Sequence, residues 1–167
     1  MSWDFETPPD VAGRIAWAQA FIRDEVLPID QIVRDPRNLR DPLHAQHIPR
    51  LQQTVRDAGM WAVHAPVEQG GTGAGAIEIA LVNEQLGRTR CGPVIFGCQS
   101  PDAGNVEILA RFGSPDIKAR FLQPLVAGEM VSAFSVTEPR AEAPTRRRTR
   151  RLRSKTATST CSTGTSG

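Results

Sequence analysis

The chain changes character abruptly after Val131-Ser-Ala-Phe-Ser-Val-Thr-Glu-Pro139, and that break limits what can fold. Up to Pro139, apolar residues recur at helical spacing between glycine and proline stops. From Arg140 the sequence gives way to Ala-Glu-Ala-Pro-Thr, then Arg146-Arg-Arg-Thr-Arg-Arg151, then a Ser/Thr run. Residues 1–139 hold 12 of the 20 Lys and Arg and 17 of the 18 Asp and Glu, a net of −5, whereas residues 140–167 hold 8 and 1, a net of +7. The basic balance belongs to the tail alone, so whole-chain charge is no argument for a nucleic-acid-binding domain. The first region is long enough to bury a core of its own. The tail has Leu152 as its one large apolar residue, too little to offset the entropy of ordering, and disorder is expected over 140–167.

Within the first region the periodicity predicts helices. Val11, Ile15, Ala18, Phe21, Ile22 and Val26 recur at three- and four-residue steps, giving a helix over 10–26 that Pro28 should end. Ile48, Leu51, Val55 and Met60 mark a second over 43–58, closed by Gly59, and a third spans 76–86, stopped at Gly87. Two more are expected over 101–112 and 114–126, the latter opened by Ser114-Pro115-Asp116, a cap followed by a first-turn proline. Strand-like backbone is expected only near 131–136.

Several features invite sharper chemistry and lose to plainer readings. Gly71-Thr-Gly-Ala-Gly-Ala76 has the spacing of a dinucleotide-binding loop, but no strand and helix alternation follows and no acidic residue closes a second strand. A tight turn that lets the third helix pack closely is the better reading. His44 and His47 stand three residues apart with no third ligand, which argues for a solvated pair and for no metal. Trp3, Trp17 and Trp61 read as core or interface anchors. Glu78 and Glu84 lie on different sides of their helix and form no acid and base pair. The cysteines Cys91, Cys98 and Cys161 fit neither a disulfide framework nor a metal spacing, which points to a reducing cytoplasm. The first residues lack a basic stretch followed by an apolar one, and no run approaches the roughly 18 apolar residues of a membrane span, so a soluble, unsecreted chain without a membrane partner is expected.

The order of motifs carries more than composition does. Pro66-Val-Glu-Gln-Gly-Gly-Thr-Gly73, Glu84-Gln-Leu-Gly-Arg88, Gly113-Ser-Pro-Asp-Ile-Lys-Ala-Arg-Phe-Leu-Gln-Pro-Leu125, Gly128-Glu129 and Phe134-Ser-Val-Thr-Glu-Pro139 together resemble the N-terminal half of the acyl-CoA dehydrogenase family over residues 1–139. The resemblance implies a mainly α fold: a helical N-terminal domain over 1–130, the opening strand of a middle β-barrel domain over 131–139, and the tail beyond. It implies FAD as cofactor, an acyl-CoA thioester as substrate, an electron-transfer acceptor as partner and a homo-oligomer. In this family a glutamate removes the α proton and the flavin accepts the β hydride. By resemblance, Phe134, Val136 and Thr137 match the strand that lies against the flavin, and Gln99, Ser100 and Asp102 match the base of the acyl pocket. The catalytic glutamate belongs to the C-terminal domain, and no residue of this sequence stands for it; Glu129 and Glu138 belong to the turn and the strand. As a fragment the chain is expected to be inactive alone.

The tail has its own explanation in the genetic code. If each true codon takes the third base of one codon and the first two of the next, Lys155 to Gly167 permits Asp-Gly-Asp-x-Tyr-Val-Leu-Asn-Gly-His-Lys-Trp, and Ala141 to Arg147 permits Gly-Gly-Ala-Asp-Pro-Thr. Both resemble the family's segments beyond Thr-Glu-Pro, in order and at the family's distance. The tail therefore reads as a frameshifted translation of the β domain. The alternative is a helical interaction module with a basic arm that binds nucleic acid.

Overall fold

The computed structural model describes residues 7–135, 152–156 and 159–163. Two compact units divide the chain, Met1–Ser132 and Ala133–Gly167, and the first is mainly helical as the periodicity predicts.

Helix α1 (Pro9–Phe21) opens on a proline, whose missing N–H would have been unpaired there anyway. The expected stop at Pro28 does not occur. The chain passes through a π turn (Ile22–Val26) into α2 (Leu27–Asp30), so the helical path runs through the proline. Pro28 has no N–H to donate, and its ring would press on the carbonyl of Asp24, four residues earlier. The wider turn, closed by the Leu27 N–H on the Ile22 carbonyl, relieves that crowding. The same device recurs late in the domain. Between α7 (Pro115–Ile117) and α8 (Gln123–Ala127) a π turn at Lys118–Leu122 again ends two residues before a proline, Pro124.

Helix α3 (Pro42–Asp57) is capped by Asp41, whose carboxylate accepts from the Leu43 N–H at 2.9 Å. It buries His44, Ile48, Leu51 and Val55, one face at three- and four-residue steps. Helix α4 (Ala76–Leu86) has the predicted bounds. Helix α5 (Gly92–Ile95) is a single turn that the periodicity missed, and α6 (Asp102–Phe112) comes next. Trp17 stacks on Phe21 with ring centroids 5.0 Å apart, and both meet the buried ring of Phe96 edge-on. Arg14 of α1 pairs with Glu78 of α4 at 3.0 Å.

Buried Asp30, at the end of α2, accepts the backbone N–H groups of Arg90 and Cys91 at 2.9 Å each, which ties the first helical path to the start of α5. Burial alone would raise its pKa; the hydrogen bonds from Cys91, Thr89 and Arg90 outweigh burial and hold it below the ordinary carboxylate value. The Cys91 thiol facing that carboxylate is pushed up to about 12, first by burial and then by Asp30.

Two expectations change. Val131–Ser135 has no regular secondary structure, so the strand expected there is not formed over the described part, and Val136 lies outside the described residues. In the tail, β1 (Leu152–Thr156) and β2 (Ser159–Thr163) pair antiparallel, with Leu152 opposite Thr163 and Thr156 opposite Ser159, where disorder is expected throughout. The two strands are separated by two residues and are rich in β-branched threonine, a composition that favours extended pairing.

Candidate functional site

The loop after α3 is built by close backbone approach. Trp61, four residues past the end of α3, is 4% exposed, and its indole N–H donates to the Val126 carbonyl at 2.9 Å, with the Arg56 guanidinium 3.5 Å over the ring. Gly97, at φ +66°, lies against the same ring, where an added Cβ would stand 2.8 Å from it. Further along, the Ala74 and Gly73 N–H groups donate to the Val63 and Ala65 carbonyls, and the Thr72 hydroxyl donates to the Val63 carbonyl. A Cβ on Gly71 would come within 2.3 Å of the Ala65 carbonyl oxygen and 2.6 Å of that of Ala62. The glycines thus serve a tight turn, but one folded against residues 62–65 rather than one that brings α4 close. No strand flanks the loop among the described residues, and the dinucleotide reading loses its structural context.

Two titratable groups near this loop are shifted by burial. Neither ring nitrogen of His64 finds a hydrogen bond among the described residues; burial lowers its pKa, and Glu107 opposes that shift weakly. Cys98 is pushed up to about 11 by burial, offset in part by the Val63 backbone. His44, expected to be solvated, is instead buried in the inner face of α3, which lowers its pKa against the pull of Asp41 and Asp35. Among the described residues no group of three His, Cys, Asp or Glu side chains is placed to hold a metal.

The residues matched to the acyl pocket lie at the turn into α6. Gln99 is half-buried and Ser100 exposed, while Asp102 is 3% exposed. The Gln99 amide donates to Asp102 Oδ2 at 2.8 Å, and Gln99 Oε1 has no partner among the described residues. The other carboxylate oxygen of Asp102 accepts the Ser132 N–H at 2.7 Å and the Ser132 hydroxyl. Asn105, one turn along α6, donates to Ser132 Oγ at 2.7 Å, and Arg37 donates to the Ser132 carbonyl at 3.0 Å, with its guanidinium 3.9 Å from Asp102. Of the residues matched to the flavin, Phe134 is described, and its ring is 54% exposed; Val136 and Thr137 lie outside the described residues. The structure brings Gln99 and Asp102 together and joins Asp102 to Ser132. Sequence reasoning missed Arg37, Asn105 and Ser132. The three-residue step from Asp102 to Asn105, which puts two polar side chains on one helix face, was the available signal.

A helical domain with an irregular exit tied back at Ser132, and a glycine loop folded on its own backbone, is what the comparisons meet. Residues 15–129 match the family model described as acyl-CoA dehydrogenase, N-terminal domain. The chain belongs to the acyl-CoA dehydrogenase family, a family of oxidoreductases. It is 34% identical over 96 residues to acyl-CoA dehydrogenase family member 11 of Rattus norvegicus, a match covering 58% of this chain and 12% of the relative. It is 33% identical over 125 residues to family member 10 of Mus musculus, covering 71% of this chain and 12% of that protein. A solved structure described as "a putative acyl-CoA dehydrogenase from Mycobacterium abscessus" superposes with a TM-score of 0.70 at 33% identity, over 82% of this chain and 36% of that one. The chain spans about one eighth of the length of these two curated relatives. Among the described residues no helix is long and apolar enough to cross a membrane.

Proposed function

We propose that this chain is the N-terminal part of an FAD-dependent acyl-CoA dehydrogenase that removes hydrogens from the α and β carbons of an acyl-CoA thioester, and that the 167 residues alone are inactive. The family match over residues 15–129 is the observation that carries the reading. FAD, when bound, supplies the hydride acceptor. The exposed Phe134 side chain is an apolar surface that a planar flavin would cover. One apolar surface is all that this side chain offers, so the fit is partial and binding by this chain weak.

Gln99 and Ser100 would close the far end of the acyl pocket, and Gln99 Oε1, which has no hydrogen-bond partner among the described residues, would be the polar atom there. Asp102 fits a lining role poorly, because a buried carboxylate facing an alkyl chain would be left without compensation, whereas here its oxygens are taken up by Gln99 and Ser132. No residue of this chain is assigned the base that takes the α proton. A thioester bound here would lack the orientation and the excluded water that the reaction needs. The tail is proposed as a frameshifted reading of the β domain, and the frame-restored protein as a cytoplasmic homo-oligomer that passes electrons to an acceptor protein.

The test compares flavin content and reduction of an artificial acceptor with a panel of acyl-CoA thioesters, for the 167-residue chain and the frame-restored protein side by side. Flavin and turnover in the restored protein alone are expected. Turnover by the 167-residue chain at the restored protein's rate would overturn the reading, and salt-sensitive DNA binding by the tail would favour the basic-arm alternative.

A further inference from the structure

We infer that Arg37, Asp102 and Asn105 form a clamp on Ser132 that sets the register of the segment leaving the helical domain, and that they act as positioning residues for whatever Phe134 to Thr137 contacts. In its flavin aspect this rests on the function proposed above. The clamp is selective for one residue. Val131, Ala133, Phe134 and Ser135 are all exposed, while Ser132 is half-buried and every polar group it owns is engaged. Its N–H and hydroxyl donate to Asp102, its Oγ accepts from Asn105, and its carbonyl accepts from Arg37.

The partners come from two separate places, the first turn of α6 and the link between α2 and α3. A chain held from two sides at its N–H, its side chain and its carbonyl cannot slide along its own axis without breaking all of them. Sliding matters because a slip of one residue would put Ala133 or Ser135 where Phe134 stands. Asp102 suits this task better than an uncharged residue would. An ionised acceptor makes shorter and stronger bonds, and one carboxylate serves Gln99 through one oxygen and Ser132 through the other. Gln99 and the exit segment thereby share one anchor. The family match ends at residue 129, so Arg37, Asp102 and Asn105 lie within it and Ser132, the residue they hold, lies three residues beyond it.

The experiment measures amide exchange in the 167-residue chain for Asp102→Asn, Ser132→Ala and Ser132→Thr, and FAD affinity with the flavin absorption spectrum for the same variants of the frame-restored protein. Exchange over residues 132–135 should accelerate about tenfold in Asp102→Asn and less in Ser132→Ala, and should return toward the parent in Ser132→Thr, with α3 and α4 unchanged. In the restored protein, Asp102→Asn and Ser132→Ala should weaken FAD binding about tenfold and shift the bound flavin spectrum, and Ser132→Thr should recover both; a purely structural role would lower thermal stability without moving the spectrum. Parental exchange at 132–135 in Asp102→Asn and Ser132→Ala would overturn the clamp. Loosened exchange with parental flavin affinity and spectrum would overturn its positioning role. A restored parent that takes up no flavin would remove the flavin reading alone, with the exchange data still deciding the clamp.

Discussion

The loop that carries Trp61 and the exit at Ser132 are both irregular backbone, yet they are held by opposite means. The loop is held by shape: backbone packs on backbone at Gly71, an indole fills the space against Gly97, and the polar contacts are mostly main chain. The exit is held by charge, through a buried carboxylate, a guanidinium and an amide closing on one serine. A shape-held segment tolerates no added volume, whereas a charge-held one tolerates volume better than the loss of a donor or acceptor.

The largest expected effect comes from filling the loop. Gly71→Ala places a Cβ where two carbonyl oxygens already stand, and neither can swing aside as a side chain would. A loss of about 3 kcal/mol is expected from chemical denaturation, at the upper end for overpacking. A change within experimental error would show that the loop yields and that shape does not hold it.

Removing the charge from the exit comes next. Asp102→Ala leaves the Ser132 and Gln99 donors without their acceptor in a half-buried setting, a loss of about 2 kcal/mol, while Asp102→Asn, which keeps an acceptor oxygen, should lose roughly half as much. Equal losses for both would mean that volume, not hydrogen bonding, matters at this position.

Acidification should sharpen the contrast, because the shape-held region carries a half-buried histidine whose ring nitrogens have no hydrogen-bond partner among the described residues. The folded pKa of His64 lies below its unfolded value of about 6.5, as does that of His44, so the unfolded chain binds more protons in that range. Stability should therefore fall as pH drops below about 6.5 and continue to fall toward the folded values. Asp30 contributes in the other range: its lowered pKa gives stabilisation that is present above about 3.9 and lost as pH falls through its folded value. Thermal midpoints across this range, with His64→Phe as the comparison, test the assignment; a slope unchanged in the variant would exclude His64.

The smallest effect is expected from deleting residues 140–167. They belong to the second compact unit, and their removal should shift the helical unit's stability by less than about 0.5 kcal/mol. A larger shift would mean that the tail supports either the loop or the exit.

The sequence determined a good deal by itself. Apolar spacing with capping signals placed α3, α4, α6 and the α7 to α8 path, because burial of one face repeats at the helical period and glycines and prolines punctuate it. Motif order identified the family without any knowledge of the fold. Local rules failed where a remote or unusual partner intervened. Pro28 reads as a stop, yet a wider turn carries the helix past it, and His44 reads as surface until α3 packs its face inward. The role of Gly71 likewise needed the fold, since the atoms that exclude a Cβ belong to residues 62 and 65.

The candidate site shows the same division. The resemblance singled out Gln99 and Asp102, three residues apart, and the structure hydrogen-bonds one to the other. The engagement of Asp102 with Ser132, thirty residues away, and that of Arg37 with Ser132, ninety-five residues away, were not legible in the sequence. Sequence pattern reports which residues share a face of one element, because that depends on local geometry alone. Which buried donor meets which buried acceptor depends on how elements from distant parts of the chain converge, and only the tertiary structure decided that Asp102 anchors the exit of the helical domain.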